Sequence, residues 1–589
     1  MPSPLAHLSA TDRTLFYKYG FGPVHPVSIP IIHHAFKKHA LEQPNAIAVE
    51  HLSYNQSITY AHLDARSNQL AHTLRDRNIL PGQRVCILAR RSIALIVGIL
   101  AVLKSGAQYV PLDALSITDE TLQFVLEDST PSLVLVMDEF AHRVTTAPKI
   151  CLEHAIRDAE VLNSDVSDVE DMSSVTDGVY CIYTSGTTGR PKGVDVKHQG
   201  VTNVIGNAPA NVGMRRGMRV AQLLNIAFDM GAWEILGSLY NGATLCLRGN
   251  TSKEWIALMK TVDIVIATPS ILAIHEPENY PGIKEVIVGG EPCPQALADK
   301  WARYTKFNNC CGPTEISVCN TVQRHTPGYP LSIGKPIPNT NVYILSRDPS
   351  KTRPVPMGQV GCMWVGGIGV GWAPDPEGEK KTAHTRYLNL PDKNAERWKP
   401  DPFVKGGMMF NTGDLGRWRK DGQLDHMGRA DDQVKVKGFR VELDGVSAAM
   451  RTYPPVLNAV TLLVNSKLWG FVTPASIDTN LVREAVAKIQ PHYAVPAHYM
   501  AIEEFPTTRN GKVDKRALSA LAEGGMTTSI AETVEAPPQQ IQASSVLIEQ
   551  RASGNRGADM LFAPSVPMVV SGMQPQLEFE ELRTHGVCA

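Results

Sequence analysis

Several classes of protein are excluded by what this sequence lacks. Charge of either sign is not in excess: 57 Lys and Arg face 58 Asp and Glu over 589 residues, a formal net charge of −1. Bulk-charge attachment to nucleic acid or to an anionic membrane is therefore not expected. Cysteine is sparse. Ten residues in this length, with no C-x-x-C spacing, make no disulfide framework and point to reduced thiols in a cytoplasmic protein. Long apolar runs are missing too. The longest, Ile93 to Leu103, is too short to cross a bilayer and reads as a core helix. Met1-Pro2-Ser3-Pro4 opens no basic-then-apolar pattern, so no secretory signal is expected. Internal repeats are not apparent.

What remains is ordinary globular composition, 43% hydrophobic and 20% charged, in a chain long enough for two or more domains. Short apolar runs alternate with helical periodicity. Arg84 to Leu88, Tyr109 to Leu112, Ser132 to Val136, Gly178 to Tyr183, Arg219 to Leu223, Thr244 to Leu247, Asp263 to Ala267 and Glu285 to Val288 all read as buried strands. This is the pattern of a parallel α/β sheet. Past about residue 330, strands shorten and Gly, Pro and charge rise. We expect β-rich structure over 340–425, then a small α+β region to about 520. The stretch 521–589 holds Ala536-Pro537-Pro538-Gln539-Gln540 and weak periodicity, and reads as a disordered tail.

The strongest local signal is Tyr183-Thr184-Ser185-Gly186-Thr187-Thr188-Gly189-Arg190-Pro191-Lys192-Gly193. A buried strand runs into a loop of glycines and hydroxyls that ends in a lysine. Glycines let backbone N–H groups converge on an anion, hydroxyls add donors, and Lys192 adds a point charge, as suits nucleotide phosphates. The spacing is not that of a Walker loop, since Gly193 follows the lysine.

This string resembles the signature of the adenylate-forming superfamily, which includes acyl-CoA ligases, luciferases and the adenylation domains of nonribosomal peptide synthetases. Further stretches resemble that family's motifs in order: Leu103 to Asp113, Phe228 to Glu234, Cys311-Gly312-Pro313-Thr314-Glu315, Asn411 to Leu415, Gly428 to Lys435, and Asn510-Gly511-Lys512-Val513-Asp514. The match is nearest the peptide-synthetase adenylation domains. It implies a large N-terminal domain (29–428) of α/β and β-barrel-like subdomains after an extension (1–28). A small mobile α+β domain (429–523) and the tail (524–589) would follow.

The reaction implied is R-COO⁻ + ATP → R-CO-AMP + pyrophosphate. Two anions must approach, so positive charge and fixed donors carry most of the catalysis. By resemblance, Thr184 to Gly189 with Lys192 hold the departing pyrophosphate, Glu315 places a Mg²⁺, and Thr314 donates to the α-phosphate. Lys512 bridges the carboxylate and the α-phosphate. Asp414 grips the ribose hydroxyls, with Arg429 helping on ribose and phosphate. Asn309 takes the adenine amino edge, and Gly289-Gly290-Glu291 lies along the ring. Asp431 is the hinge about which the small domain turns.

Asp229 matches the carboxylate that pairs with a substrate α-ammonium in amino-acid-activating members. Met230, Trp233, Ala267, Ile287, Gly289, Cys310, Val318 and Cys319 would line the side-chain pocket. None is charged, which implies a bulky apolar or aromatic L-amino acid. The alternatives are an acyl- or aryl-CoA ligase, disfavoured by Asp229, and a catalytically degenerate binding protein of the same fold.

The pattern is broken in three places. Cys311 stands where an aromatic usually stacks on adenine. Val370 to Thr382 intrudes before the familiar Tyr387-Leu388-Asn389-Leu390-Pro391. No Gly-Gly-x-Ser carrier motif follows the adenylation region. The expectation is a free-standing adenylation enzyme whose acceptor, a carrier protein or a small thiol or amine, comes in trans.

Overall fold

A computed structural model describes residues 4–162, 165–186, 190–348, 351–370, 385–507 and 513–532. Two large sheets form the framework. The seven-stranded one runs, in spatial order, Arg386–Tyr387, Lys192–Lys197, Gly178–Thr184, Gln108–Asp113, Arg84–Ala89, Leu133–Val136 and Lys149–Cys151. The nine-stranded one runs Lys335–Pro336, Thr321–Arg324, Lys306–Cys311, Glu285–Val288, Ile264–Ala267, Arg219–Gln222, Thr244–Leu247, Ile47–His51 and Gln56–Thr59. The inner strands of both are mutually parallel, as the strand–helix alternation predicts, with antiparallel strands toward the edges.

The strands are parallel because helices connect them, and the helices supply the core. Helix Ile93–Lys104 is apolar all round and buried along most of its length, so it must sit inside. Ser92 starts it by accepting from the Leu95 N–H. One continuous apolar cluster contains this helix, the buried face of Tyr60–Asp76, helix Asp229–Tyr240, and side chains from both sheets such as Val85, Tyr109, Val49 and Ile287.

After residue 339 come Thr340–Leu345, Gly361–Gly367, Met408–Trp418 and Trp398–Pro400, with Leu424–Arg429 paired to Met408–Trp418. Among the described residues this five-stranded sheet does not close, so the barrel-like expectation becomes an open sheet. A two-stranded hairpin, Gln433–Val436 and Phe439–Glu442, follows, and then a three-stranded sheet with helices. Helix Lys515–Glu532 runs beyond residue 523, where the tail was expected to begin. Most of the expected tail, and all of the expected insertion except Val370, lie outside the described residues.

Candidate functional site

Strand Gly178–Thr184 returns antiparallel as Lys192–Lys197, with Thr184 opposite Lys192. The phosphate loop is therefore a hairpin loop, closed at its neck by two of its own candidate ligands. Thr187, Thr188 and Gly189 lie outside the described residues. Gly186 has a steric reason to be glycine: a Cβ there would meet the Arg190 carbonyl oxygen at 1.9 Å. Gly186→Ala is expected to push the Arg190 carbonyl aside and lower the thermal midpoint, since overlap of this kind is destabilising. Calorimetric melting of the two proteins checks this.

The loop faces a hairpin the sequence reading did not bring to it. Ser185 Oγ donates to the Arg440 carbonyl at 2.7 Å, and Lys192 Nζ donates to Glu442 Oε1 at 3.0 Å. Burial lowers the Lys192 ammonium to about 8, with the Arg440 charge adding to the shift. The Thr184 hydroxyl is buried without a partner among the described residues, a donor suited to an anion.

Glu315 stands in a short turn, Thr314–Ile316, after strand Lys306–Cys311. It is fully buried. Tyr387 Oη donates to Oε1 at 2.6 Å, and Arg440 Nη1 reaches both oxygens at 2.8 and 3.1 Å. Burial would raise this carboxyl, but the Arg440 and Lys192 charges and the Tyr387 hydrogen bond override it and hold it at about 2. Beyond the turn, Ser317 and Val318 sit at φ 65° and 75°. Left-handed backbone at a β-branched valine is strained, as is common beside binding sites.

Asp414 and Arg429 are paired across neighbouring strands. Arg429 Nη1 donates to Asp414 Oδ1 at 2.8 Å, and His426 Nε2 lies 3.1 Å from the same oxygen. Among the described residues both contacts fall on Oδ1, which leaves Oδ2 as an acceptor for a ligand hydroxyl. Burial opposes ionisation of Asp414, but His426 and Arg429 hold it well below the usual carboxylate range. Arg429 also makes a two-pronged contact with Asp431, both bonds 2.8 Å. Asn309 Nδ2 donates to the Ser332 carbonyl at 2.7 Å. Its oxygen then remains as the acceptor an adenine amino group would require. Gly290, at φ 82°, makes the tight turn after strand Glu285–Val288, and Glu291 accepts from the Ser270 N–H at 3.0 Å.

Part of this set lines a cavity of about 1370 Å³; Lys192, Glu315, Tyr387, Asp431 and Glu442 do not reach it. Thr184, Ser185, Asp229, Met230, Gly290, Glu291, Asn309, Cys310, Thr314, Val318, Asp414 and Arg429 are on its wall, with Cys311, His426, Lys435 and Arg440. Asp229 begins helix Asp229–Tyr240 and is buried. Its Oδ1 accepts from the Met230 N–H at 2.8 Å and its Oδ2 from Thr314 Oγ1 at 2.7 Å. Burial raises its carboxyl to about 6. Thr314, expected on a phosphate, is committed here to Asp229.

The expected side-chain pocket is only partly realised. Met230, Cys310 and Val318 reach the cavity; Trp233, Ala267, Ile287, Gly289 and Cys319 do not. Trp233, Ala267, Ile287 and Cys319 are packed into the apolar cores instead. Gly289 opens no space, because the Cys310 thiol fills it: a Cβ at residue 289 would lie 2.6 Å from that sulfur. Lys512 lies outside the described residues. The residues missed from the sequence are Arg440, Glu442, Tyr387 and His426.

The neck of the Thr184–Lys192 hairpin, the buried Asp229 carboxylate and the Asp414–Arg429 pair share one cavity, while Glu315 and Lys192 are buried and are not on its wall. That combination of hydroxyls, carboxylates and cations around one cavity suits a polar, charged ligand. The chain belongs to the AMP-binding enzyme family, whose model matches residues 36–371. Over 522 residues it is 50% identical to adenylate-forming reductase 06235 of Coprinopsis cinerea, covering 88% of this chain and 49% of that protein. Over 508 residues it is 33% identical to the nonribosomal peptide synthetase sirP of Leptosphaeria maculans, covering 84% of this chain and 22% of that protein. The chain thus spans about half the length of the first of these relatives and a smaller part of the second. Its fold matches an artificially fused adenylation–PCP didomain, NpsA-ThdA from Klebsiella oxytoca, at a TM-score of 0.70 and 19% identity, covering 87% of this chain and 98% of that one.

Proposed function

We propose that this chain activates an α-amino acid with ATP as its aminoacyl-AMP, releasing pyrophosphate, and passes the acyl group to a carrier-bound or small thiol or amine. The observation that carries this is Asp229. A buried carboxylate on a cavity wall, with no ion pair among the described residues, needs a cation from the ligand. An α-ammonium supplies it, and Thr314 and the Met230 N–H hold the carboxylate to receive it. Met230, Cys310 and Val318 give an uncharged wall, which favours an apolar side chain.

Ser185 and the unpartnered Thr184 hydroxyl, both on the cavity wall, would hold phosphate oxygens, and Lys192 and Glu315 would hold phosphate and Mg²⁺ once released from Glu442 and Arg440. That ion would neutralise the phosphates as the carboxylate approaches the α-phosphorus. Asp414 Oδ2 would fix the ribose and Asn309 the adenine edge. Lys512 is proposed to bridge the attacking carboxylate and the α-phosphate, delivered by rotation of the region after Asp431. In Lys512→Ala, exchange should fall by about tenfold or more with ATP binding less affected, as for loss of a transition-state contact.

A second reading rests on the 50% identity to an adenylate-forming reductase. Here the activated acyl group is destined for reduction, and an acid without an amino group becomes a candidate. ATP–pyrophosphate exchange over panels of amino, aryl and fatty acids separates the two. Exchange driven by apolar amino acids supports the first reading, exchange driven by aryl or fatty acids alone removes it, and no exchange removes both. Among the described residues no helix is long and apolar enough to cross a membrane, and the partners proposed are a small acid and a carrier, with no nucleic acid.

A further inference from the structure

A separate group of ligand-type side chains lies outside the cavity wall. His33 and His34 open helix Ile32–Glu42, and Asp171 lies in the segment that precedes strand Gly178–Thr184. His33 Nε2 is 3.6 Å from Asp171 Oδ1, and His34 Nε2 is 2.7 Å from Asp171 Oδ2. The donor atoms of all three residues lie within 4.8 Å of one another. Consecutive helical side chains usually diverge. These two rings instead stand edge to face, 4.8 Å apart at 86°, so that both Nε2 atoms converge on one carboxylate.

The separations bracket those of a bound ion: His34 Nε2 and Asp171 Oδ2, hydrogen-bonded here, would part by about 0.6 Å, and His33 Nε2 and Asp171 Oδ1 are slightly wide. Tetrahedral zinc with bonds of about 2.0–2.1 Å sets its ligand atoms about 3.3 Å apart. Two neutral imidazoles and one carboxylate are the ligands a borderline divalent ion prefers, whereas Mg²⁺ prefers oxygen alone. A buried core histidine is normally hydrogen-bonded at both nitrogens. His33 is buried and its Nδ1 has no partner among the described residues, so its polar contact is the one facing Asp171. The ring is wedged edge to face against His198 at 6.1 Å. His34 and Asp171 are each 43% exposed, which leaves an open, solvent-facing position for entry and for a water ligand.

We propose that His33, His34 and Asp171 form a zinc-type divalent metal site. It clips helix Ile32–Glu42 to the segment leading into the phosphate-loop strand. The site is structural, and its argument does not depend on the substrate reading.

Isothermal titration of tag-free, chelator-treated protein with zinc chloride in Mg²⁺-containing buffer tests it. One equivalent should bind and raise the thermal midpoint. His34→Ala and Asp171→Asn, both at half-exposed positions, should each weaken binding by about tenfold or more by removing one of three ligands. Pyrophosphate exchange of metal-free variants should stay at the wild-type level. No zinc binding to the wild type would overturn the site. So would binding undiminished in both variants, which would place the ion elsewhere, for example at Asp138, Cys151 and His154, whose donor atoms also lie within 4.8 Å of one another.

Discussion

Asp229→Asn is expected to raise the KM for the amino acid by about 30-fold to several-thousand-fold, with a much smaller change in KM for ATP. Removing one member of a buried, hydrogen-bonded charge pair costs about 2–5 kcal/mol, and each 1.4 kcal/mol is tenfold. The substitution preserves shape; with the amide oxygen kept on the Met230 N–H, its NH2 can donate to the Thr314 hydroxyl, so the main loss is charge. The wild type should also show a pH signature. Burial lifts the free carboxyl to about 6, so below that pH the site binds a proton that the substrate ammonium must displace. Affinity for the amino acid should rise as pH climbs through about 6 and then level off. In Asp229→Asn that limb should be flat. Exchange kinetics in amino acid and ATP, repeated from pH 5 to 8, give both readouts. An unchanged amino-acid KM in the variant would remove the ammonium role.

The framework was legible because its causes are local. Short Val/Ile/Leu runs between helical stretches can be satisfied only by strands buried on both faces, and they became the inner strands of the two large sheets. The hairpin that carries the candidate phosphate loop was legible for the same reason, since Thr184 and Lys192 are eight residues apart and pair across its neck. The partners of that loop were not. Glu442 meets Lys192 across 250 positions, and Arg440 meets Glu315 across 125. No periodicity or spacing reports such a meeting. His426 reaches Asp414 from the facing strand, beside a register shift between Asp414 and Gly416 that the sequence does not display. The expected pocket was legible only in part, because packing between distant segments decides which positions reach the cavity. Gly289 and Ala267 are small, but the Cys310 thiol occupies the space beside the first and the second is in the core.

Those long-range partners carry the second large effect. In this arrangement the Gln433–Val436 and Phe439–Glu442 hairpin supplies the counter-charges of two groups proposed to hold the triphosphate and its metal: Glu442 on Lys192, and Arg440 on Glu315. Arg440→Ala leaves Glu315 buried with its strongest cation gone. Breaking a buried pair in this way costs about 3–5 kcal/mol, so the thermal midpoint of the nucleotide-free protein should fall clearly at pH 7. The sign with pH follows from the carboxyl. Its folded value of about 2 lies below the ordinary 4.5, so its stabilisation is full above 4.5 and is lost as pH falls toward 2. The gap between wild type and variant should therefore narrow as pH is lowered through 4.5. Mg²⁺ with ATP should raise the midpoint more in the variant than in the wild type, because a bound cation then replaces the missing guanidinium without first displacing it. Equal midpoints for the two proteins at pH 7, with and without nucleotide, would show that Arg440 does not neutralise Glu315. The hairpin would then have no part in the electrostatics of the phosphate site.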